Sequence, residues 1–432
     1  MLCPDTLISS KIISFKNTAN SAIIKKTSGV HEYMKIALFT MGTRGDVQPY
    51  IYLAKALNKN GHTTTIGSHP CWRKLVEDAG VNFAPIGPDI DIELETSIIR
   101  GKNSNAVISL LKTMNFVFKI IENSSSEIYE NCKGNDLIIV SHSQMGAAEA
   151  EALKIPAVNV TLQTEMIPRK LKEPTFGEKM FNFFVSPKIT KPYNKIRKLY
   201  KLPMLKNSSE LISGRINLIP ISKYVIERNK YWEDKNILTG YWYEDAAYEP
   251  PAELAEFLAK GEKPIILALG AMSFEEKADK AKLDLFVNAF KKTGKRAIIQ
   301  GFQKTIKDYQ LPDTMIACGS VPHSWLFKQG YAAIHHCGFG TASAAMIYGI
   351  PSIPVPFILD QTGFAMQLEQ KNVAVKQIKS KDLSEERLIE AIKELDANYE
   401  PLSQASKALS EKLQSEHGLE TAVTMIEKCF QD

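Results

Sequence analysis

From Met34 onward, short apolar runs alternate with longer amphipathic ones, and the alternation restarts once, at Pro264. Residues 35–40, 63–67, 136–140 and 157–162 read as strands, the first of them apolar enough to be buried on both faces. Between them 49–59, 72–79 and 144–153 carry helical spacing, with Gly61 and Gly80 as stops. After Pro264 the strands are 265–269, 296–300, 331–334 and 352–355, and the helices 279–292, 341–348 and 361–371. A β-α-β-α order builds a parallel sheet with helices on both faces. The fold class expected is therefore α/β, with two doubly wound units. The expected divisions are 1–33 as an extension, 34–240 as the first domain, 241–263 as a linker, 264–415 as the second domain and 416–432 as a C-terminal helix.

Two such units leave a cleft at the carboxyl ends of their strands, where ligands bind. Composition agrees with a globular chain: 44% apolar and 23% charged residues exclude global disorder, a fibre and a multi-span membrane protein. The charge-free stretch 329–359 holds Pro351, Pro354, Pro356 and four glycines, which suits a buried, strand-rich cleft rather than a membrane helix. Cysteines 3, 71, 132, 318, 337 and 429 form no CxxC pair, so neither a zinc knuckle nor a disulfide framework is signalled. Reduced thiols and a cytoplasmic setting are expected. Residues 1–33 have only Asp5 and Glu32 as acids, no arginine and no continuous apolar core of a secretory signal. They read as an extension upstream of a start at Met34, rather than a targeting leader, and as carrying no chemistry.

Residues that follow strands carry the informative chemistry. After the first strand, Gly42 and Gly45 allow a sharp turn, Pro49 opens the helix and Asp46 is presented at the strand end. Asp46 can serve as a general base or as a helix N-terminal carboxylate stabilising by about 1 kcal/mol, and spacing alone favours the second. In the second unit Gly338 and Gly340 permit close backbone approach, Thr341 and Ser343 bring hydroxyls, and a helix N-terminus follows. That combination suits a diphosphate, with His335 or His336 as a further donor. No lysine is present in this loop, which argues against a P-loop. Asp360 beside Gln361 can read sugar hydroxyls in bidentate fashion, or cap the next helix.

Together these residues resemble the donor-sugar signature of the UDP-glycosyltransferases: His336-Cys-Gly-Phe-Gly-Thr-Ala-Ser, then Tyr348-Gly-Ile-Pro, Val355-Pro-Phe and Asp360-Gln361. Val321-Pro-His-Ser-Trp-Leu-Phe, Gly42-Thr-Arg-Gly-Asp-Val-Gln-Pro and Thr239-Gly-Tyr-Trp resemble the branch of sterol glucosyltransferases and bacterial antibiotic glycosyltransferases. The resemblance runs from about 34 to 375. It implies two facing Rossmann-like domains (GT-B), with acceptor on the first and nucleotide sugar on the second. It assigns His336, Gly338, Gly340 and Thr341 to the diphosphate, Asp360 and Gln361 to the sugar, and Val321 and Phe302 to the nucleotide base. Asp46 takes the place of the catalytic base, with Arg44 and His142 on the acceptor side. Three positions depart from the pattern. Ala271 stands where a serine is usual, Cys337 where the branch has glycine, and Phe302 where tryptophan is frequent.

The implied activity is a UDP-dependent hexosyl transfer, inverting and without metal or cofactor, most simply from UDP-glucose to a lipophilic hydroxyl compound such as a sterol, polyketide or flavonoid. A UDP-sugar 2-epimerase and a non-catalytic lipid-binding protein are the alternatives. Residues 88–130 and 164–210 are expected to line the acceptor pocket. Within 168–206 eleven basic residues face two acids, +9 in a chain of net +5, and six Phe and Tyr residues lie among them. Such a mixture suits either peripheral contact with an anionic membrane or a solvated face over a core or pocket. No nucleic-acid partner is expected.

Overall fold

The computed structural model describes residues 33–92, 95, 106–169, 175–245, 247–270, 276–302, 305–357 and 359–430. The reading of 1–33, Tyr33 apart, and that of Ala271 lie outside them. Met34–Asp432 form one compact unit holding two parallel sheets.

The first sheet comprises β1 (Lys35–Phe39), β2 (Thr63–Ser68), β3 (Asn82–Pro85), β4 (Leu137–Val140), β5 (Ala157–Val160), β6 (Asn217–Ile219) and β7 (Asn236–Leu238), in the order β3-β2-β1-β4-β5-β6-β7. The second comprises β8 (Ile265–Ala268), β9 (Ala297–Gln300), β10 (Met315–Cys318), β11 (Ala332–His335) and β12 (Ser352–Pro354), in the order β10-β9-β8-β11-β12. Register aligns the carboxyl ends: Phe39 pairs with Gly67 and Val140, and His335 with Ala268 and Pro354.

Each central strand is covered on both faces. Ile36 and Leu38 join one core with Val47, Tyr50, Leu53 and Leu57 of the Arg44–Lys59 helix, whereas Ala37 and Phe39 join another with Ile120, Ile128 and Met145. Alternation along β8 does the same, with Ile265 and Leu267 on one side and Ile266 and Ala268 on the other. Burial of one such side chain contributes about 1.5–3 kcal/mol, so these layers fix where the strand ends point.

One expectation is corrected and two are filled in. The first helix begins at Arg44, not Pro49, so Pro49 lies inside it and Gly45 is helical. The linker contains the helix Ala252–Ala259, whose Leu254 and Phe257 are buried against β8 and β9. The helix Gly418–Lys428 returns to the first core through Ala422, Val423 and Ile426.

Candidate functional site

At the carboxyl end of β1 the backbone turns through Gly42, whose φ of +135° is costly for any other residue. Asp46 lies in the first helical turn, half-buried. Its Oδ2 accepts from the Thr43 backbone N–H at 2.8 Å and from the Thr43 hydroxyl at 3.0 Å. The capping role that spacing favoured is therefore present. Its Oδ1 has no partner among the described residues, so the cap leaves half of the carboxylate available. A Cβ on Gly42 would stand 2.3 Å from Asp46 Oδ2, so the carboxylate position depends on that glycine. The Trp72 indole N–H, donating to the Gly42 carbonyl at 3.1 Å, closes the turn from the side of β2.

Further buried polar atoms flank this turn. His69, just past β2, is fully buried with neither ring nitrogen bonded among the described residues, and burial lowers its pKa to about 4. His142, just past β4, has a buried Nδ1 without a partner among the described residues. Neither contacts Asp46 through a hydrogen bond.

At the carboxyl end of β11 the two histidines separate. The backbone N–H of Cys337 donates to His335 Nδ1 at 3.2 Å, so Nε2 carries the proton toward the Ser352 hydroxyl at 3.1 Å. His335 is fully buried and serves the turn, with its pKa lowered to about 3 by desolvation. His336 lies between two glycines: a Cβ on Gly338 would be 2.4 Å from its Nε2, and one on Gly270 2.6 Å from its Cε1. Desolvation lowers its pKa to about 4, so the ring is neutral at pH 7. Cys337 adopts φ +61°, a left-handed conformation that glycine would hold without strain, which accounts physically for glycine being usual there.

Gly338 caps the helix Phe339–Ile347, whose first turn presents free N–H groups. The Thr341 hydroxyl donates to Gly338 O at 3.1 Å and that of Ser343 to Gly340 O at 3.2 Å. These hydroxyls are engaged within the turn, so an incoming anion meets backbone N–H groups first. A Cβ on Gly340 would meet nothing within 4 Å, which leaves open space at the helix end.

The Val321 loop after β10 forms the neighbouring wall. Gln300 Nε2 donates to Val321 O at 2.9 Å and Gly319 O at 3.2 Å, and Gln300 Oε1 meets His323 Nε2 at 3.1 Å. The His323 ring stacks on Phe327 at 5.0 Å. Burial, then the charge of Arg44, lowers its pKa to about 4. Arg44 donates from Nη1 to the Ser320 hydroxyl, joining the Asp46 turn to this loop across the cleft. His323, Gln300 and Ser320 were missed as site residues. His323 was visible in the Val-Pro-His run, whereas Gln300 and Ser320 had no motif of their own.

Two placements differ from expectation. Phe302, with φ +55°, is 5% exposed and packs edge-on to Phe286 in the second core, so its ring is core rather than a stacking surface for a base. Gln361 is 4% exposed and its Oε1 accepts from the Phe357 N–H at 2.8 Å, bracing the turn before the Leu359–Gln370 helix. Asp360 occupies the second position of that helix. No group of three or more metal-ligating side chains occurs among the described residues.

Residues 36–156 match the glycosyltransferase family 28 N-terminal domain. A sterol 3-beta-glucosyltransferase of Kluyveromyces lactis is 29% identical over 96% of this chain and 36% of its own length. That of Candida albicans is 30% identical over 90% of this chain and 27% of its own length. The chain thus spans about a third or less of the curated relatives it matches. The glycosyltransferase VinC, solved in complex with DTDP, superposes with a TM-score of 0.68 at 19% identity, over 92% of this chain and all of that one. The glycosyltransferase of kitacinnamycin does so at 0.67 and 16%, over 92% and 99%. The fold is GT-B, and the chain is homologous to sterol 3-beta-glucosyltransferases over most of its length.

Proposed function

We propose that this chain transfers a hexosyl group, glucose in the first instance, from a UDP-sugar to a hydroxyl of a lipophilic small molecule, with inversion and without a metal. The observation that carries the reading is the opposition of two half-sites. The Asp46 carboxylate, with no partner for Oδ1 among the described residues, lies in the helical turn that follows β1 of one sheet, and the Gly338–Gly340 helix end beside His336 follows β11 of the other. Arg44 spans the gap to Ser320.

In this reading the diphosphate lies on the first-turn N–H groups of the Phe339–Ile347 helix, with the neutral His336 ring, whose Nδ1–H goes to the Ala268 carbonyl at 3.4 Å, as the adjoining wall and Arg44 as the cation nearest the cleft. As the glycosidic bond breaks, charge develops on the leaving phosphate, and fixed dipoles in a closed cleft stabilise it most. Asp46 Oδ1 receives the acceptor hydroxyl proton while the oxygen attacks the anomeric carbon through an oxocarbenium-like state. Oδ2, held by Thr43, fixes the direction of Oδ1. Asp360 addresses the sugar, with Gln361 bracing the turn that leads into its helix, and peripheral contact with an anionic membrane brings the protein to a lipophilic acceptor.

Asp46→Asn tests the base. Asparagine keeps one oxygen for Thr43 but cannot take a proton. Turnover with UDP-glucose and a hydroxylated lipophile should fall by about two to four orders of magnitude, with calorimetric UDP affinity nearly unchanged. Turnover near wild type would remove Asp46 from the reaction, and UDP-sugar conversion without any acceptor would move the protein to the epimerases.

A further inference from the structure

The helix Phe176–Phe184 has an apolar stripe that faces outward. Phe176, Met180, Phe183 and Phe184 follow i, i+4, i+7, i+8 spacing, which puts them on one face. They are 79%, 43%, 74% and 54% exposed, and Val185 continues the patch at 40%. An outward cluster of this kind marks an interaction surface. Its rings contact each other, Phe183 edge-on to Phe184 at 4.8 Å.

The next helix, Ser186–Leu199, says what the partner is. Thr190, Tyr193 and Ile196 bury one side of it against the body, where Tyr193 packs on Phe118. On its other side Lys188, Lys191, Lys195 and Lys198 are exposed at i, i+3, i+7, i+10 spacing, a basic stripe one turn beyond the phenylalanines. Lys195 is held by Glu122 at 2.9 Å, and Arg197 by Glu151 at 2.7 Å, so these two serve the fold. Lys188, Lys191, Lys198 and Lys201 pair with no acid among the described residues.

We propose that this face docks on the surface of an anionic phospholipid membrane. The phenylalanine stripe enters the acyl boundary and the lysine stripe lies on the headgroups. Exposed rings need an apolar medium, and the cations alongside them need a dense anionic surface; a lipid interface supplies both at once. A second copy of this chain would bring the same cations against each other. The proposal gives location to the membrane contact in the functional reading and shares its motive, a lipophilic acceptor, but stands on geometry and charge alone.

The full chain is sedimented with vesicles of phosphatidylglycerol or of phosphatidylcholine, at low and high salt. Binding to the anionic vesicles at low salt, and its loss in salt or on neutral lipid, is expected. Lys188→Glu/Lys191→Glu/Lys198→Glu should weaken that binding by about 100-fold, from roughly fivefold per cation. Phe183→Ser/Phe184→Ser should weaken it at least tenfold. Lys393→Glu/Lys407→Glu, which alters two exposed lysines far along the chain, should bind as wild type. Unchanged melting temperatures show that the variants fold. Equal recovery in the supernatant with both lipids overturns the proposal. So does binding that the control weakens as much as the helix variants do, or a dimer on gel filtration that Phe183→Ser/Phe184→Ser dissociates while vesicles are ignored. Because no turnover is read, failure here leaves the Asp46 test standing, and failure there leaves this one standing.

Discussion

Gly340 lies inside the Phe339–Ile347 helix with open space where a side chain would be, so nothing in the protein itself requires glycine there. Its φ is not in the left-handed region, and alanine in a helix is better than glycine by up to about 1 kcal/mol. Gly340→Ala should therefore leave the melting temperature unchanged or raise it by roughly 2 °C. Ligand binding should move the other way. In the proposed pose the diphosphate fills the open space at Gly340, where a Cβ would meet no protein atom within 4 Å. The methyl group then crowds the bound diphosphate, and UDP affinity should fall at least tenfold, about 1.4 kcal/mol. Gly338→Ala reaches the same loss by another route, because its Cβ collides with His336 Nε2 rather than with ligand. The measurements are thermal melting without ligand and calorimetric titration with UDP. If Gly340→Ala binds UDP as wild type does, close approach at this glycine is wrong, and the anion lies elsewhere.

Gly42→Ala should cost about 1–2 kcal/mol from its left-handed backbone and displace the Asp46 carboxylate as well, so turnover should fall further than stability alone explains; an active variant would separate Gly42 from the base. His69 and His335 are buried neutral, with pKa values of about 4 and about 3 against about 6.5 when unfolded. Between those values the unfolded chain binds more protons, so stability is full above about pH 6.5 and declines as pH falls toward 4. Melting temperatures at pH 7 to 4.5 should decline, and His69→Gln should flatten the slope; an unchanged slope would mean that His69 gains no burial penalty.

How much could be read in advance depended on what the residues had to satisfy. The central strands β1, β4, β8 and β11 were legible because burial on both faces demands continuous apolar runs. Strands β6 and β7 were not, because each is only three residues long and opens on a buried asparagine, and the two asparagines satisfy one another across the sheet. Asn217 Nδ2 donates to Asn236 Oδ1 at 2.8 Å, and the Thr161 hydroxyl donates to Asn217 Oδ1 at 2.8 Å. No hydropathy pattern marks such a ladder. In the site, the glycines and histidines stood out by type, but their division of labour did not: His335 and His336 are adjacent in sequence and differ only in which way the strand turns them. Gln361 and Phe302 looked like ligand contacts until packing showed where their atoms were engaged.

The chain passes between the two sheets twice, once after β7 and once between the Tyr399–Gln414 and Gly418–Lys428 helices. The two passages touch. A Cβ on Gly418 would be 2.4 Å from the Tyr241 carbonyl, and one on Gly240 2.9 Å from Glu416. Backbone pressed on backbone leaves no room for a side chain at either glycine, so the two crossings are fastened to each other like a double seam: a methyl group at Gly418 or Gly240 would pry them apart.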